Sequence, residues 1–556
     1  MEQGIKYPVG LQSFAEVRGT GSVYVDKTDL VYRLVTGTKY NFLSRPRRFG
    51  KSLLVSTLEA YFQGQRELFA GLAMEGLERD WVEYPVLHVD LSQNNFTSDG
   101  TLSNELNLVL GQWEKIYGRD ELECDFSQRF RGVISRAHEQ TGRQAVVLVD
   151  EYDKPLLDAI DDEALLARNQ DALRTFYGVL KGMDAHLQFV FLTGITRFAH
   201  LGIFSGLNNL RDLSMDEAYA TLCGITEGEL RADLAEGVAR LAARRGQTVE
   251  EAFGKLKEMY DGYRFSPDVQ AGVYNPFSLL SALEGRRYGR YWYETGTPRF
   301  LFRLIEKRRV PIAGLARGRM RASQLRGRTV SDMGIVPLLY QTGYMTIECY
   351  DEAAEEYTLR FPNGEVERAF YDDLVQYFFR VDEDRGLSLS WLLERMAAGD
   401  AAGLMAGLHA FIAGFSYRIA GEAELYFQNV LVVLFRGLGL ETRAELATSD
   451  GRIDAVVEMP GYLYLFEFKL DKSAEAALAQ IEDKRYAAPF ALGRRAVVKL
   501  GVNFSSTTRN IAECIIRAEG QADVRMAVQA GKLSAVKGSG GRVPLPSRQD
   551  GRWAWA

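Results

Sequence analysis

Cysteine and histidine are scarce in this chain of 556 residues. The four cysteines, Cys124, Cys223, Cys349 and Cys514, lie far apart with no CxxC pair. That spacing argues against a thiolate zinc cluster and a disulfide framework, and a reducing cytoplasm fits it best. The five histidines, His88, His138, His186, His200 and His409, fall singly along the sequence and receive no role. Any metal is therefore expected on carboxylates. An excess of positive charge is also missing: 67 Lys and Arg face 74 Asp and Glu, for a net charge of −7. This removes a global basic field for nucleic acid but leaves room for a local patch. The opening MEQGIKYPVG has no basic-then-apolar leader. No apolar run reaches the roughly 18–20 residues that cross a bilayer. A soluble, cytoplasmic protein with no membrane association is the expectation.

What is present is the composition of a globular protein, 46% hydrophobic and 25% charged. The length suggests about two to four domains. Residues 1–225 alternate short apolar strand candidates (41–43, 86–91, 145–150, 188–193) with longer helical stretches. The pattern predicts a parallel sheet covered by helices on both faces, an α/β domain. Residues 226–385 read as a helical and mixed middle region, serving as lid and linker. Residues 386–520 read as a second α/β domain, with strand, strand, helix and strand over 441–505. The Gly-, Ser-, Pro- and Arg-rich end, 521–556, is expected to be partly disordered.

The first motif that carries chemistry is NFLSRPRRFGKSLL, residues 41–54. An apolar strand runs into a loop, and Gly50-Lys51-Ser52 opens a helix. A helix N-terminus offers unpaired N–H groups and a positive dipole end to phosphate. Lys51 is expected to reach terminal phosphates and Ser52 to ligand Mg²⁺. The usual P-loop glycine five residues before Gly50 is absent; Arg45 stands there. A second strand, AVVLVDEYDKPL (145–156), ends in Asp150-Glu151 and is expected beside the phosphate loop. Asp150 would hold the metal and Glu151 would orient an attacking water. A third strand ends in LTGITRF (192–198), where Thr193 is a candidate for the end facing the γ-phosphate and Arg197 a weaker one. Arg48, Gly50, Lys51, Ser52, Asp150 and Thr193 form the candidate nucleotide-binding set, with ATP and Mg²⁺ as cofactors. Simple strand capping by Thr193 is the plainer alternative.

The second constellation is GRIDAVVEMPGYLYLFEFKL, residues 451–470. Asp454 opens one apolar strand, the turn at 459–462 reverses the chain, and the next strand ends Glu467-Phe468-Lys469. Period-two alternation puts Glu467 and Lys469 on one side. Asp454 and Glu467 can hold Mg²⁺ (or Mn²⁺), which polarises a phosphodiester and generates hydroxide from bound water. Lys469 can position that water and offset phosphate charge. Glu424, on a preceding helix, and Gln480, in the helix AQIEDKRYA (479–487), complete the candidate catalytic set, with Lys484 and Tyr486 one and two turns on. A salt-bridged hairpin with a solvated face is the bland reading.

These phrases resemble a known family. YVDKT (24–28), SRPRRFGKS (44–52), VDEYDKP (149–155), LTGITRF and FSGLNNL (204–210) are similar to the AAA-ATPase-like domain of many bacterial and some archaeal proteins. GRIDAVVE, FEFKL and AQIEDKRYA look like the PD-(D/E)XK nuclease domain that usually follows it. YDGYRF, YNPFSLL, YWYETGTP and LYQTGY are similar to the region between. The resemblance covers about nine-tenths of the chain. It implies a P-loop ATPase fold joined to a restriction-endonuclease-like fold, with Asp454, Glu467 and Lys469 as catalytic core and Glu424 and Gln480 as supports. It also implies that Arg45 is the family's own departure from the standard P-loop. Relatives tend to carry a His about four residues after the helix Glu, where this chain has Gln428.

Two further features carry weaker signals. Residues 303–328 are strongly basic, fit either for a nucleic-acid backbone or for a solvated surface. The aromatics of YRF, YNPF and YWYE suit base stacking or, more commonly, packing. The resulting expectation is an ATP-binding, ATP-hydrolysing enzyme with a Mg²⁺-dependent nuclease domain acting on DNA or RNA, and a possible homo-oligomer. The alternative is a nucleotide-regulated nucleic-acid-binding or scaffolding protein with an inactive nuclease fold, which Gln428 favours. A third reading gives the C-terminal fold a role in oligomerisation only.

Overall fold

Four short, largely buried strands organise the N-terminal half of the computed structural model. It describes residues 5–197, 209–292, 299–308, 310, 315, 317–326, 334–379, 389–413, 424–448, 451–490, 493, 495–536, 547–549 and 552–554. The strands are β1 (Tyr40–Ser44), β2 (Val86–Asp90), β3 (Ala145–Asp150) and β4 (Leu187–Gly194), with a two-residue β5 (Arg211–Asp212). All pairings are parallel, in the order β2-β3-β4-β1-β5. Every residue of β1 and β3 is buried, as expected for strands covered on both faces. The registers Asp90↔Asp150, Leu43↔Thr193 and Ser44↔Gly194 bring the strand ends to one edge of the sheet. In open α/β sheets that carboxyl edge is where ligands bind.

Strand order separates the two motif strands. β3 does not lie beside β1, because β4 is inserted between them. Helix α1 (Lys51–Phe62), which follows the phosphate-loop strand, reaches across and packs on β3 and β2. That crossing brings Ser52 within hydrogen-bonding reach of Asp150.

The middle region is helical, as the acidic and Ala/Leu periodicity indicates. Helices Glu227–Asp233, Ala235–Arg245, Val249–Tyr260 and Pro276–Gly285 surround a core of Leu230, Val238, Leu241, Leu256, Leu279 and Leu283. Two begin with capping boxes, Thr226 with Glu229 and Thr248 with Glu251, each satisfying otherwise unpaired N–H groups. The mixed stretch beyond residue 300 contains a three-stranded antiparallel sheet, β6 (Arg317–Arg321), β7 (Thr346–Asp351) and β8 (Glu356–Arg360), ordered β6-β8-β7.

Contacts divide the chain into two compact units, Met1–Ile305 with Arg317–Glu367, and Glu306–Ala316 with Arg368–Ala556. The second unit is built on a seven-stranded mixed sheet. Its strands are β9 (Glu441–Thr448), β10 (Gly451–Glu458), β11 (Tyr462–Leu470), β12 (Ala496–Ser505), β13 (Asn510–Ala518), β14 (Val524–Gln529) and β15 (Lys532–Ala535), in the order β15-β14-β13-β12-β11-β10-β9. β14 and β15 lie beyond residue 520, where the sequence suggested a loose tail. Helix α2 (Glu424–Gly437) packs on the Phe466 face, with the rings of Phe435 and Phe466 5.4 Å apart. Helix α3 (Ala474–Asp483) covers the other face against Val456, Leu463 and Leu465. No described helix is long and apolar enough to cross a membrane.

Candidate functional site

The phosphate loop occupies residues 45–50, between β1 and α1. Two of its residues have left-handed backbone, Arg48 (φ 68°) and Gly50 (φ 84°). Left-handed turns of this kind aim successive N–H groups inward and create anion-binding concavities. For Arg48, a residue with a side chain, this conformation is uncommon and marks a candidate functional loop. The loop opens on a cavity of about 550 Å³ lined by Arg47, Arg48, Gly50, Lys51 and Ser52, by Glu151, Lys154 and Asp158, and by Gly10, Leu11 and Phe277 among others. The Arg48 guanidinium lies 4.7 Å from the Phe277 ring centroid.

Lys51 is 4% exposed. Its Nζ donates to the Pro46 carbonyl at 3.3 Å and lies 3.5 Å from Glu151 Oε1. Glu151 is itself left-handed (φ 53°), which turns its carboxylate back from the strand end toward the lysine. Burial, then the neighbouring Glu151 charge, pushes the Asp150 carboxyl up to about 6, against relief from a hydrogen bond with Ser52 and the Lys51 charge. A buried carboxylate beside a serine hydroxyl at a helix start is a fitting donor pair for a divalent cation. The cavity and loop likewise fit a nucleotide phosphate chain.

Thr193 and Arg197 are engaged by other partners. Thr193 is fully buried and donates its hydroxyl to the Leu43 carbonyl at 2.8 Å, tying β4 to β1. Arg197 is paired with Asp212, and its backbone N–H reaches Gln341 Oε1 at 3.2 Å. Neither is among the residues that line the cavity, and nor is Asp150, which reaches the site through Ser52. Asp153 holds the two strand-end loops together by accepting from Ile195 N (3.1 Å) and Thr196 N (2.6 Å). Gly194 must be glycine there, because a Cβ would come within 2.4 Å of Asp153 Oδ1.

Arg45 turns away from the cavity. It is 1% exposed and donates to the carbonyls of Ser44 (2.9 Å), Ser214 (2.8 Å) and Tyr219 (3.0 Å), with its guanidinium 4.1 Å from the Phe265 centroid. Phe49 packs edge-on against Tyr263 and Phe265, at 4.7 and 5.3 Å. The YRF aromatics thus serve as packing behind the loop. Trp292, from YWYE, donates its indole N–H to the Arg47 carbonyl at 3.3 Å. YVDKT has a structural task too: Asp26 accepts from Thr28 N (2.8 Å) and Ala73 N (2.7 Å), and Lys27 pairs with Glu229 at 2.5 Å.

In the second unit, β10 and β11 are antiparallel and pair Ala455 with Phe466. That register sets Asp454 opposite Glu467, so the two carboxylates leave one face from neighbouring strands. Asp454 lies within β10 rather than opening it. Its Oδ2 accepts from the Phe468 N–H at 2.8 Å. Glu467 is 1% exposed, and Lys469 Nζ donates to its Oε1 at 2.9 Å and to the Phe468 carbonyl at 2.8 Å. Two carboxylates balanced by one ammonium are a donor set that a divalent cation suits.

Gly501 makes room on this face for α3, the helix that carries Gln480. It sits in register with Glu467, and a Cβ there would fall 2.5 Å from the Ala474 carbonyl and 2.6 Å from Leu478 N. Without that side chain α3 seats directly on the sheet. The helix ends at Asp483, earlier than the AQIEDKRYA pattern suggested, because Arg485 is left-handed (φ 48°). Tyr486 folds back beneath it, and its hydroxyl meets Arg452 N at 3.2 Å and Gln480 Nε2 at 3.4 Å. Glu424 is the first residue of α2, but its side chain and that of Gln428 lie outside the described residues. Among the described residues no group of three or more His, Cys, Asp or Glu is poised for a metal.

Sequence reasoning missed the cavity wall contributed by Gly10, Leu11, Lys154, Asp158 and Phe277, which converge from distant segments. It also treated the histidines as unclustered, whereas His138 and His186 approach to 3.1 Å between their Nδ1 atoms. His200 lies outside the described residues. The basic stretch is partly neutralised where it is described, by Arg303–Asp161, Arg317–Glu348 and Arg319–Glu356 pairs.

Comparison with known proteins agrees with this division. The family model for a predicted AAA-ATPase matches residues 8–204, and the model for the PD-(D/E)XK nuclease superfamily matches residues 422–514. An uncharacterized protein in the vnfD 5′ region of Azotobacter chroococcum mcd 1 is 35% identical over 526 residues, covering 93% of this chain and 99% of its own. A solved structure of the Aeropyrum pernix ORC2 protein, in ADPNP–ADP complexes, aligns with 68% of this chain and 97% of its own at 13% identity and a TM-score of 0.22. A likeness that low carries no argument, and the fold assignment rests on strand order, register and the two family models. The chain therefore belongs to the AAA-ATPase-like family that carries a C-terminal domain of the PD-(D/E)XK nuclease superfamily.

Proposed function

We propose that the chain is a nucleotide-gated, metal-dependent nuclease. ATP is taken at the loop of residues 45–52, where Arg48 and Gly50 shape the backbone cradle and Lys51 leaves Glu151 for the phosphates. Ser52 and Asp150 hold Mg²⁺, and Glu151, released from Lys51, orients the attacking water. The second centre cuts nucleic-acid phosphodiesters at Asp454, Glu467 and Lys469. A bound Mg²⁺ or Mn²⁺ supplies Lewis acidity and a nucleophilic water at neutral pH. Asp454 and Glu467 hold it on one sheet face. Lys469 pairs with Glu467 and offers positive charge to the phosphate. Gln480 supports that face from α3, and Glu424 is its proposed partner from α2. The carrying observation is the Asp454–Glu467 register with Lys469 Nζ 2.9 Å from Glu467.

The test is cleavage of linear and single-stranded DNA and RNA by the full chain with ATP and Mg²⁺ or Mn²⁺, beside Lys469→Ala. Loss of a general acid–base or charge-stabilising group costs about 10²–10⁴-fold. Wild-type cleavage that falls by about 10³-fold in Lys469→Ala supports the reading. No wild-type cleavage on any substrate would sink it in favour of a nucleotide-regulated binding or scaffolding protein. Equal cleavage by both proteins would place the activity elsewhere.

A further inference from the structure

The cavity at the phosphate loop has a second wall, and that wall carries its own cation. Lys154 follows Glu151 by three residues and begins a short helix, Lys154–Asp158, that lines the same cavity as Lys51 and Ser52. Its Nζ donates to Asp158 Oδ2 at 2.6 Å and lies 5.7 Å from the Phe96 ring centroid. Asp158 is itself anchored, since Oδ2 also accepts from Phe96 N at 3.1 Å. Only 19% of the lysine side chain is exposed. The ammonium is thus tethered at the cavity wall rather than trailing in solvent. An ammonium has three donors, and Asp158 engages one.

We propose that Lys154 is a second phosphate-facing cation, meeting the terminal phosphate of ATP from the wall formed by residues 151–158, across from Lys51. The inference rests on the nucleotide reading above. Charge supports it. Among the cavity-lining residues, Arg47, Arg48, Lys51 and Lys154 face only Glu151 and Asp158, a balance that suits a polyanion. Phosphoryl transfer spreads negative charge over the terminal phosphate oxygens, and a cation held in place there stabilises it. The pairing with Asp158 fixes where the ammonium points before the nucleotide arrives. In this role the chain supplies from its own acidic-strand segment a charge that other nucleotidases receive from an arginine. The alternative is a purely structural i,i+4 pair stabilising a five-residue helix.

The two differ in what they do to ATP relative to ADP. Equilibrium binding of Mg-ADP and Mg-ATP and steady-state ATP hydrolysis are measured on the full chain for wild type, Lys154→Met, Lys154→Arg and Asp158→Asn. A charge-assisted contact to one phosphate predicts about tenfold weaker ATP binding in Lys154→Met. ADP binding stays within about twofold, and hydrolysis falls by about 10²-fold or more. Lys154→Arg restores part of the ATP preference. Asp158→Asn loosens the tether that aims the ammonium and lowers that preference, and it decides the matter if Lys154→Met fails to fold. An unchanged ATP-to-ADP ratio in these variants overturns the proposal and leaves the nucleotide site standing. If wild type binds neither nucleotide, the nucleotide reading fails first and this inference with it.

Discussion

The two centres of this chain are built in opposite ways. The phosphate-loop cavity takes its side chains from loops and helix starts at the carboxyl edge of a parallel sheet: Arg48, Lys51 and Ser52 after β1, Glu151 and Lys154 after β3. The nuclease-type centre takes Asp454, Glu467 and Lys469 from within two paired strands. Loops can change conformation when phosphate binds, and Lys51 is already shared between Pro46 and Glu151. Strand interiors cannot shift without breaking a ladder, so metal-binding carboxylates there are fixed in advance. On the proposed function, the first centre would respond to nucleotide and the second would hold its geometry.

That contrast breaks first at Arg45. Its three carbonyl contacts and Phe265 stacking make it part of the support behind the responsive loop. Arg45→Gly, which would insert a flexible residue into the phosphate loop, strands those buried carbonyls, each at a cost of about 1–3 kcal/mol. The expected loss is about 3 kcal/mol or more of stability in the first unit, read by thermal or denaturant unfolding. A variant as stable as wild type would mean the loop needs no such support.

A smaller effect comes from Asp150. Because its carboxyl is shifted upward to about 6, its ionisation opposes folding. That cost is absent below the ordinary value near 4, grows between there and about 6, and is complete above. Metal-assisted nucleotide binding needs the ionised form, so affinity for Mg-ATP should fall about tenfold from about pH 7 to about pH 5. Asp150→Asn should bind more weakly and lose that dependence. A wild-type affinity flat across this range would remove Asp150 from the site.

The smallest effect sharpens the boundary of the cavity. Thr193→Val removes a hydroxyl committed to Leu43, for a stability loss of about 1 kcal/mol and no change in nucleotide affinity. Weakened ATP binding would return Thr193 to the nucleotide site.

Much of this was legible in the sequence, for physical reasons. β1 to β4 stood out because strands covered on both faces must be apolar throughout, and β3 ends at Asp150 as read. Period-two alternation put Glu467 and Lys469 on one side of a strand without further information, whereas the register that sets Asp454 opposite Glu467 needed the folded sheet. β5 escaped notice, being two charged residues held only by pairing with β1. The order that puts β4 between β1 and β3 is a property of the folded sheet, not of any local pattern. Arg45 read as a substitution in a motif because its carbonyl partners Ser214 and Tyr219 lie 169 and 174 residues away. Lys154 sat in a recognised phrase, VDEYDKP, but only the cavity gave it a neighbourhood.

The measurement that tests the account most directly is the ratio of nucleic-acid cleavage with ATP to cleavage without it, for wild type and Lys51→Ala, in Mg²⁺. A responsive loop that governs a fixed metal centre predicts a ratio well above one in wild type and close to one in Lys51→Ala, with Lys469→Ala inactive throughout. A wild-type ratio of one, or a high ratio that survives Lys51→Ala, would contradict it.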